Sequence, residues 1–393
     1  MKKVYLIDGA RTAFTAFGGS FAGVTATELG TVTAKEALKR SNVASEQVDH
    51  VIYGNVIHSE TNAAYIARHI GLETGVPKEV PAYIVNRLCG SGLQSIVSGV
   101  QEILLNDAEI VLAGGVENMS QAPYANFEKR FGGAKLGELK FHDMLLSTLF
   151  DEYTGFGMGV TAENLAKQYN ISRVEQDEYA VLSHERARKA KESGRFNEEI
   201  VAVDVKSRRK TESIVQDEHI KPDTTLEKIS GLRPSFKKDG TVTAANASGI
   251  NDGAASVVIA SEQAVKEREL QPLAEIVSWA ASGVDPSVMG IGPVPAMKKA
   301  LEKAGLTLTD IDFVEVNEAF AAQYLAVEKE LGLDREKTNV NGGAIALGHP
   351  VGVSGTRLAL SAAYELRNRD KEYALVSLCI GGGQGIAMVM KRS

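Results

Sequence analysis

The chain has 393 residues, 44% of them hydrophobic and 24% charged, which are the proportions of a folded globular protein with two or three packed units and exclude a disordered chain. Fifty acidic residues against 43 lysines and arginines give a net charge of −7, which argues against a nucleic acid or an anionic membrane as the main partner. Two cysteines cannot make a disulfide framework and point to a reducing compartment, the cytoplasm.

Met1-Lys2-Lys3 is basic, but the apolar run Val4–Ile7 stops at Asp8, too short for a signal peptide, and no stretch approaches a membrane span. A helix ending at Leu38-Lys39-Arg40 leads to the strand pattern Val48–Ile52. Next comes Ile84 to Gly92, with Cys89 between a strand and the apolar-periodic helix Leu93 to Leu105. A cysteine there feels helix N-terminal amides, which favour the thiolate, and Gly90 and Gly92 leave its sulfur approachable. The strand Ile110–Ala113 is expected to end at Gly114-Gly115.

Residues 119–249 have a different texture, with long charged stretches of helical period. Ser172-Arg173-Val174-Glu175 reads as a capping box, after which Ala180, Ser183, Ala187 and Ala190 share one small-residue face. This segment is expected to form a domain inserted between two core halves, residues 1–118 plus 250–272 and residues 273–393. Lys206, Arg208, Arg209, Lys210 and Lys221 make it locally basic.

In the second half, Ile311–Val316 reads as a strand, followed by Asn317 as a helix cap and a helix from Glu318 to Leu331. His349 stands out among seven histidines because it lies in the glycine-dense run Asn341–Pro350, where a ligand can approach the backbone and an imidazole can serve as base to a thiol. Cys379 closes the strand Ala374–Cys379 ahead of Gly381-Gly382-Gly383, whose amides could bind an oxyanion. No HExxH or other metal-ligand spacing occurs.

The order strand, glycine-opened helix, strand ending in glycines occurs in both halves. The expected fold is therefore a duplicated α/β core, with Cys89 and Cys379 at similar segment ends that converge on one site.

The segments NRLCGSG, AGGVENMS, NASGINDGAA, VNEAFAAQ, NGGAIALGHPVGVSG and CIGGGQG, in this order, resemble the signature stretches of the thiolase family, nearest to its acetoacetyl-CoA (acetyl-CoA C-acetyltransferase) branch. The resemblance implies an α-β-α-β-α layered core and a reversible condensation of two acetyl-CoA to acetoacetyl-CoA and CoA, with cleavage of longer 3-ketoacyl-CoA as the alternative. It implies no cofactor beyond the CoA thioesters, a homodimer or homotetramer, and an assembly loop at 129–139. By the same resemblance Cys89 carries the acyl group, His349 takes its proton, and Cys379 exchanges the α-proton of the second acetyl-CoA. Asn317 holds a water that forms one oxyanion hole with His349, and the backbone N–H groups of Cys89 and Gly381 form the other. Ser248, Ala244, Phe236, Met158, Ala319, Phe320 and Lys221 are the implied binding residues. One departure stands out: the acetoacetyl-CoA enzymes resemble one another in a histidine where this chain has Gly157, which leaves more room at the acyl end.

Overall fold

The computed structural model describes residues 2–133, 135–206 and 210–393. Its main strands are β1 (Val4–Arg11), β2 (His50–Gly54), β3 (Ala82–Val85), β4 (Ile110–Asn118), β5 (Asn251–Ser261), β6 (Ala274–Gly283), β7 (Phe313–Val316), β8 (Tyr373–Ile380) and β9 (Gln384–Arg392). They lie side by side in the order β7-β8-β9-β6-β1-β5-β4-β2-β3. The principal helices are α1 (Ala26–Arg40), α2 (Ser91–Leu105), α3 (Met158–Gln168), α4 (Arg173–Glu192), α5 (Pro293–Ala304), α6 (Ala321–Leu331) and α7 (Ser354–Asn368).

The two halves repeat one topology. In the first, β1 pairs antiparallel with β5, β5 antiparallel with β4, and β4 parallel with β2. In the second, β6 pairs antiparallel with β9, β9 antiparallel with β8, and β8 parallel with β7. The repeat extends to single hydrogen bonds. Asp49 accepts the backbone N–H groups of Glu109 and Ile110, and Asp312 accepts those of Glu372 and Tyr373. The halves meet at a short seam where Tyr5 faces Glu275 and Leu6 faces Ala274.

Burial sets the layers. Leu93, Ile96 and Val97 of α2 and Leu358 and Leu360 of α7 share one apolar cluster with Val111 and Ile259 of the first half and Leu378 and Met388 of the second. These two helices are the middle layer. Helix α1 covers the outer face of the first half through Leu29 and Ala34, and α5 covers that of the second through Met297 and Ala300. The result is the α-β-α-β-α arrangement. Burying most of these side chains fully is worth roughly 1.5–3 kcal/mol each before the entropy cost of ordering them.

The expected end of β4 at Gly114-Gly115 is corrected: the strand runs through both glycines to Asn118 and is buried throughout. Its central position between β5 and β2 supplies partners on both edges, which outweighs the strand-weakening tendency of glycine. The capping box at Ser172 is present, with Ser172 accepting from Glu175 N and Glu175 returning the bond. Ala180, Ser183, Ala187 and Ala190 are buried along α4, and the chain at Gly342 passes close over Ser183 and Ala187. Among the described residues no helix is long and apolar enough to cross a membrane. The segment 129–139 is exposed, with Phe131 and Leu136 almost fully so, and Ala134 lies outside the described residues.

One packing detail positions the site. The N-terminal ends of α2 and α7 cross at Gly92 and Gly355. A Cβ on Gly92 would stand 2.8 Å from Thr356 N, and one on Gly355 would collide with Leu93 N. Only glycine allows that approach, and it brings the loop before α2, which holds Cys89, against the loop before α7, which holds His349.

Candidate active site

Cys89 lies two residues before α2, after Leu88, which adopts a left-handed conformation at φ 46°. That is a strained conformation for a leucine, and it turns the chain abruptly between β3 and the helix. Ser91 fixes the turn by accepting Arg87 N at 2.8 Å and donating to Leu88 O at 2.7 Å. Cys89 is half-buried against Val56, Met119, Leu145 and Val351.

Cys379 is fully buried near the end of β8. Strand alternation turns it away from Leu378 and Ile380, toward the cluster that holds Val316, Ala319, Phe320 and, at its margin, Met158. The chain then reverses through Gly382 and Gly383, both at positive φ, and the N–H of Gly381 is directed at the sulfur of Cys89. The sulfur of Cys89 is close enough for its charge to act on Cys379.

His349 is buried and held from three sides. Its backbone N–H donates to Asn251 Oδ1 at 3.0 Å, Nδ1 lies 2.6 Å from Ser354 Oγ, and Nε2 lies 3.4 Å from Asn317 Nδ2. Ser354 Oγ also donates to Pro350 O at 3.1 Å. A hydroxyl has one proton, so both contacts are satisfied when Nδ1–H donates to Ser354 and Ser354 donates to Pro350. This assigns the Nδ1–H tautomer and leaves the Nε2 lone pair toward the site. Burial, aided by the Arg357 cation, lowers the imidazole to about 4, so it stands neutral and able to accept a proton.

Asn317 is no helix cap. Helix α6 begins at Ala321 after Phe320, later than the expected start at Glu318. The Asn317 N–H donates to Ser377 O in β8, its amide nitrogen reaches His349, and its Oδ1 is buried without a partner among the described residues. A buried amide oxygen in that state is a place for a polar ligand atom or a water.

The expected thiolate at Cys89 is corrected as well. Burial pushes this thiol up to about 11, and Glu117 adds to the rise, against the pull of the Gly381 and Cys89 backbone N–H groups. The nearby helix amides do not compensate, since Gly90 N is bonded to Arg87 O and Ser91 N to Leu88 O. Burial, with Cys89 beside it, also lifts Cys379 well above the ordinary thiol range. The resting site is two neutral thiols and a neutral imidazole. Alkylation of Cys89 by iodoacetamide is therefore expected to accelerate about tenfold per pH unit from near-neutral to moderately alkaline pH. A rate that is already level below pH 7 would contradict this.

A cavity of about 1110 Å³ opens beside these groups, lined by His349, Met119, Val351, Leu149 and Gly157 among others. Ser248, Ala244, Phe236, Met158, Phe320 and Lys221 line it too. Ala319 does not: it is buried in the core and its carbonyl instead accepts Ser248 N at 3.0 Å. The bridge between Ala247 and Phe320 fastens this end of the inserted segment next to Asn317. Phe236 lies over Gly159 and meets Phe320 edge to face at 5.9 Å. Of the described residues of the basic cluster Lys221 reaches the cavity, whereas Lys206 ends the strand Val203–Lys206 and Lys210 precedes its antiparallel partner Thr211–Ile214; Arg208 and Arg209 lie outside the described residues.

Sequence reading missed Asn251 and Ser354, although both stand in quoted segments, because a serine and an asparagine show no sign of their partners until the chain is folded. It also passed over His219, which lines the cavity, and His184, whose Nδ1 accepts Lys221 N at 3.3 Å. The repeat also separates the two cysteines more than expected. The offset that carries Ser91 onto Ser354 carries Cys89 onto Gly352, and Cys379 falls on Val116. They converge on one site without being equivalent positions.

A layered core that sets two thiols, an imidazole and directed backbone N–H groups near a large cavity has the groups that acyl transfer needs. The sequence matches the thiolase N-terminal domain over residues 4–263 and the thiolase C-terminal domain over residues 270–392, and the chain belongs to the thiolase family. It is 54% identical over 392 residues to the human "3-ketoacyl-CoA thiolase, mitochondrial", covering 100% of this chain and 98% of that one. It is 49% identical over 393 residues to the Escherichia coli "Acetyl-CoA acetyltransferase", covering 100% of both. Among solved structures, human mitochondrial 3-ketoacyl-CoA thiolase in complex with CoA matches with a TM-score of 0.97 at 53% identity, over 100% of this chain and 98% of that one. The Bacillus anthracis acetyl-CoA acetyltransferase matches with a TM-score of 0.97 at 48% identity, over 100% and 99%.

Proposed function

We propose that this thiolase cleaves 3-ketoacyl-CoA chains longer than acetoacetyl-CoA as well as acetoacetyl-CoA itself. The observation that carries this is the space at Gly157. Among the described residues a Cβ there would have only Leu149 O, at 3.3 Å, within 4 Å, and Met158, Met119 and Val351 supply apolar wall to the same cavity. The 54% identity to a protein named 3-ketoacyl-CoA thiolase supports the same reading. A narrower reading, an acetyl-CoA C-acetyltransferase that condenses two acetyl-CoA, is favoured by the relatives of that name at 48 and 49% identity.

In this reading the neutral resting groups set the chemistry. As Cys89 Sγ attacks the 3-keto carbon, His349 Nε2 takes its proton, and the N–H groups of Cys89 and Gly381 face the developing oxyanion. The bond between the α- and β-carbons breaks, the enolate oxygen of the departing acetyl-CoA faces the imidazolium and the Asn317 amide, and its α-carbon takes the proton of Cys379. CoA then gives its thiol proton to the Cys379 thiolate and attacks the acyl-Cys89 carbonyl, with the N–H groups of Cys89 and Gly381 on the oxygen. Cys89 leaves with the proton held on His349. Both thiols are thereby restored, and the reverse sequence condenses two acetyl-CoA. No cofactor beyond the CoA thioesters enters. Lys221 and Ser248, which line the cavity, are the proposed contacts of the CoA chain, and the exposed 129–139 segment is the proposed contact of a homodimer or homotetramer. The need for two reduced thiols fits a cytoplasmic location.

Comparing kcat/KM for acetoacetyl-CoA and 3-ketooctanoyl-CoA tests the substrate range. The longer chain is expected to be cleaved at least as well, and Gly157→His to shift the ratio toward acetoacetyl-CoA by about tenfold or more, the discrimination that a filled methylene site gives. Acetoacetyl-CoA preferred by about a hundredfold in the unmodified enzyme would leave only the narrower reading.

A further inference from the structure

Glu117 is fully buried near the end of β4, where the layered sheet meets both loops of the site. Every polar contact of its carboxylate is an N–H donor. Oε1 accepts Ile57 N at 3.0 Å and Asn55 Nδ2 at 3.2 Å; Oε2 accepts Val56 N at 3.1 Å and Gly352 N at 2.9 Å. Three of these donors belong to the first half, to the turn that packs against Cys89 through Val56 and Ile57. The fourth belongs to the second half, three residues after His349. One side chain thus joins the bed of the thiol to the loop of the imidazole.

The internal repeat gives this joint a further meaning. Gly352 is the repeat counterpart of Cys89, so the N–H that faces a substrate oxygen in one half has a counterpart that faces a built-in carboxylate in the other. We propose, resting on the acyl-transfer reading above, that Glu117 is a positioning residue. Its carboxylate fixes the His349 loop against the Cys89 bed and, when ionised, opposes charge on the Cys89 sulfur. The ionisable groups that face it are Cys89 and, on the neighbouring strand, Asp252; burial lifts its own carboxyl to about 8.

The test uses Glu117→Gln and Gly352→Ala in the full chain, each checked by thermal melting, with wild type run alongside on acetoacetyl-CoA and CoA. In Glu117→Gln an amide NH₂ replaces one acceptor and confronts N–H donors; in Gly352→Ala a methyl would stand 2.6 Å from Glu117 Oε2. Assayed at pH 9, where the native group is a carboxylate that accepts all four N–H bonds, both are expected to lower kcat about ten- to a hundredfold, with KM for CoA within about twofold, as a misaligned reacting pair would. Iodoacetamide labelling of Cys89 separates positioning from simple loosening. In Glu117→Gln it should match wild type below about pH 8 and exceed it above, where the native carboxylate is charged. A folded Glu117→Gln with wild-type kcat and an unmoved labelling profile overturns the proposal. If that variant does not fold, Gly352→Ala carries the test, and wild-type kcat in it overturns the proposal. Failure of both to fold also overturns it, since Glu117 would then be a core residue only. An inactive wild type would instead refute the acyl-transfer reading.

Discussion

Replacing Cys379 by alanine is expected to leave an enzyme that takes one acetyl group from acetyl-CoA and stops there. Acyl transfer to Cys89 needs a nucleophile, the neutral imidazole of His349 and the oxyanion donors, and none of these is Cys379. Carbon–carbon bond formation needs a base at the α-carbon of the second thioester, and cleavage needs a proton at the same place. Cys379 is the other thiol in the site, and burial holds it protonated at rest. Its removal should reduce thiolysis and condensation by about 10²–10⁴-fold, the usual contribution of a positioned acid or base. Exchange of labelled CoA into acetyl-CoA should continue within a few-fold of wild type. Undiminished condensation by this variant would remove Cys379 from the reaction.

The second large effect concerns His349. Because burial keeps the Cys89 thiol protonated up to about pH 11, the site has no reservoir of thiolate to draw on at neutral pH. His349→Asn should therefore lose about 10²–10⁴-fold in the rate of acylation. The sign of its pH dependence follows from the same fact. Without the base, the remaining rate depends on thiolate formed by solvent, so it should climb with pH across the whole neutral range. Wild type, with an imidazole lowered to about 4, should lose nothing to protonation of His349 between pH 8 and 6. A pre-steady-state measurement of acetylation over that range checks both. A variant whose residual rate is flat with pH would mean that Cys89 is already ionised.

Much of this site could be read along the chain because Cys89, His349 and Cys379 carry local marks. Cys89 sits at a strand-to-helix turn among glycines, His349 sits in a glycine-dense loop, and Cys379 precedes three glycines. These marks exist because a reacting atom must be approached closely, and glycine is the residue that permits it. The duplication was legible for a similar reason, since glycine punctuation survives in both halves. What stayed hidden are groups whose role exists only after folding. Ser354 selects the tautomer of His349, Asn251 holds its backbone, and Glu117 spans two loops from a third element, yet each is an ordinary polar residue in its own segment. The misjudged charge state of Cys89 has the same origin. Helix amides are visible in sequence, whereas the apolar wall of Val56, Met119, Leu145 and Val351 that desolvates the sulfur comes from distant parts of the chain.

The central claim is that Cys89 alone carries the acyl group while Cys379 handles only protons. It is tested most directly in Cys379→Ala and wild type by incubating each with acetyl-CoA, quenching in acid and mapping the acetyl group by peptide mass spectrometry. The account predicts a stable acetyl thioester on the peptide containing Cys89 in the variant, and none on the peptide containing Cys379 in wild type. Acetyl found on Cys379, or a variant that takes up no acetyl at all, would contradict it.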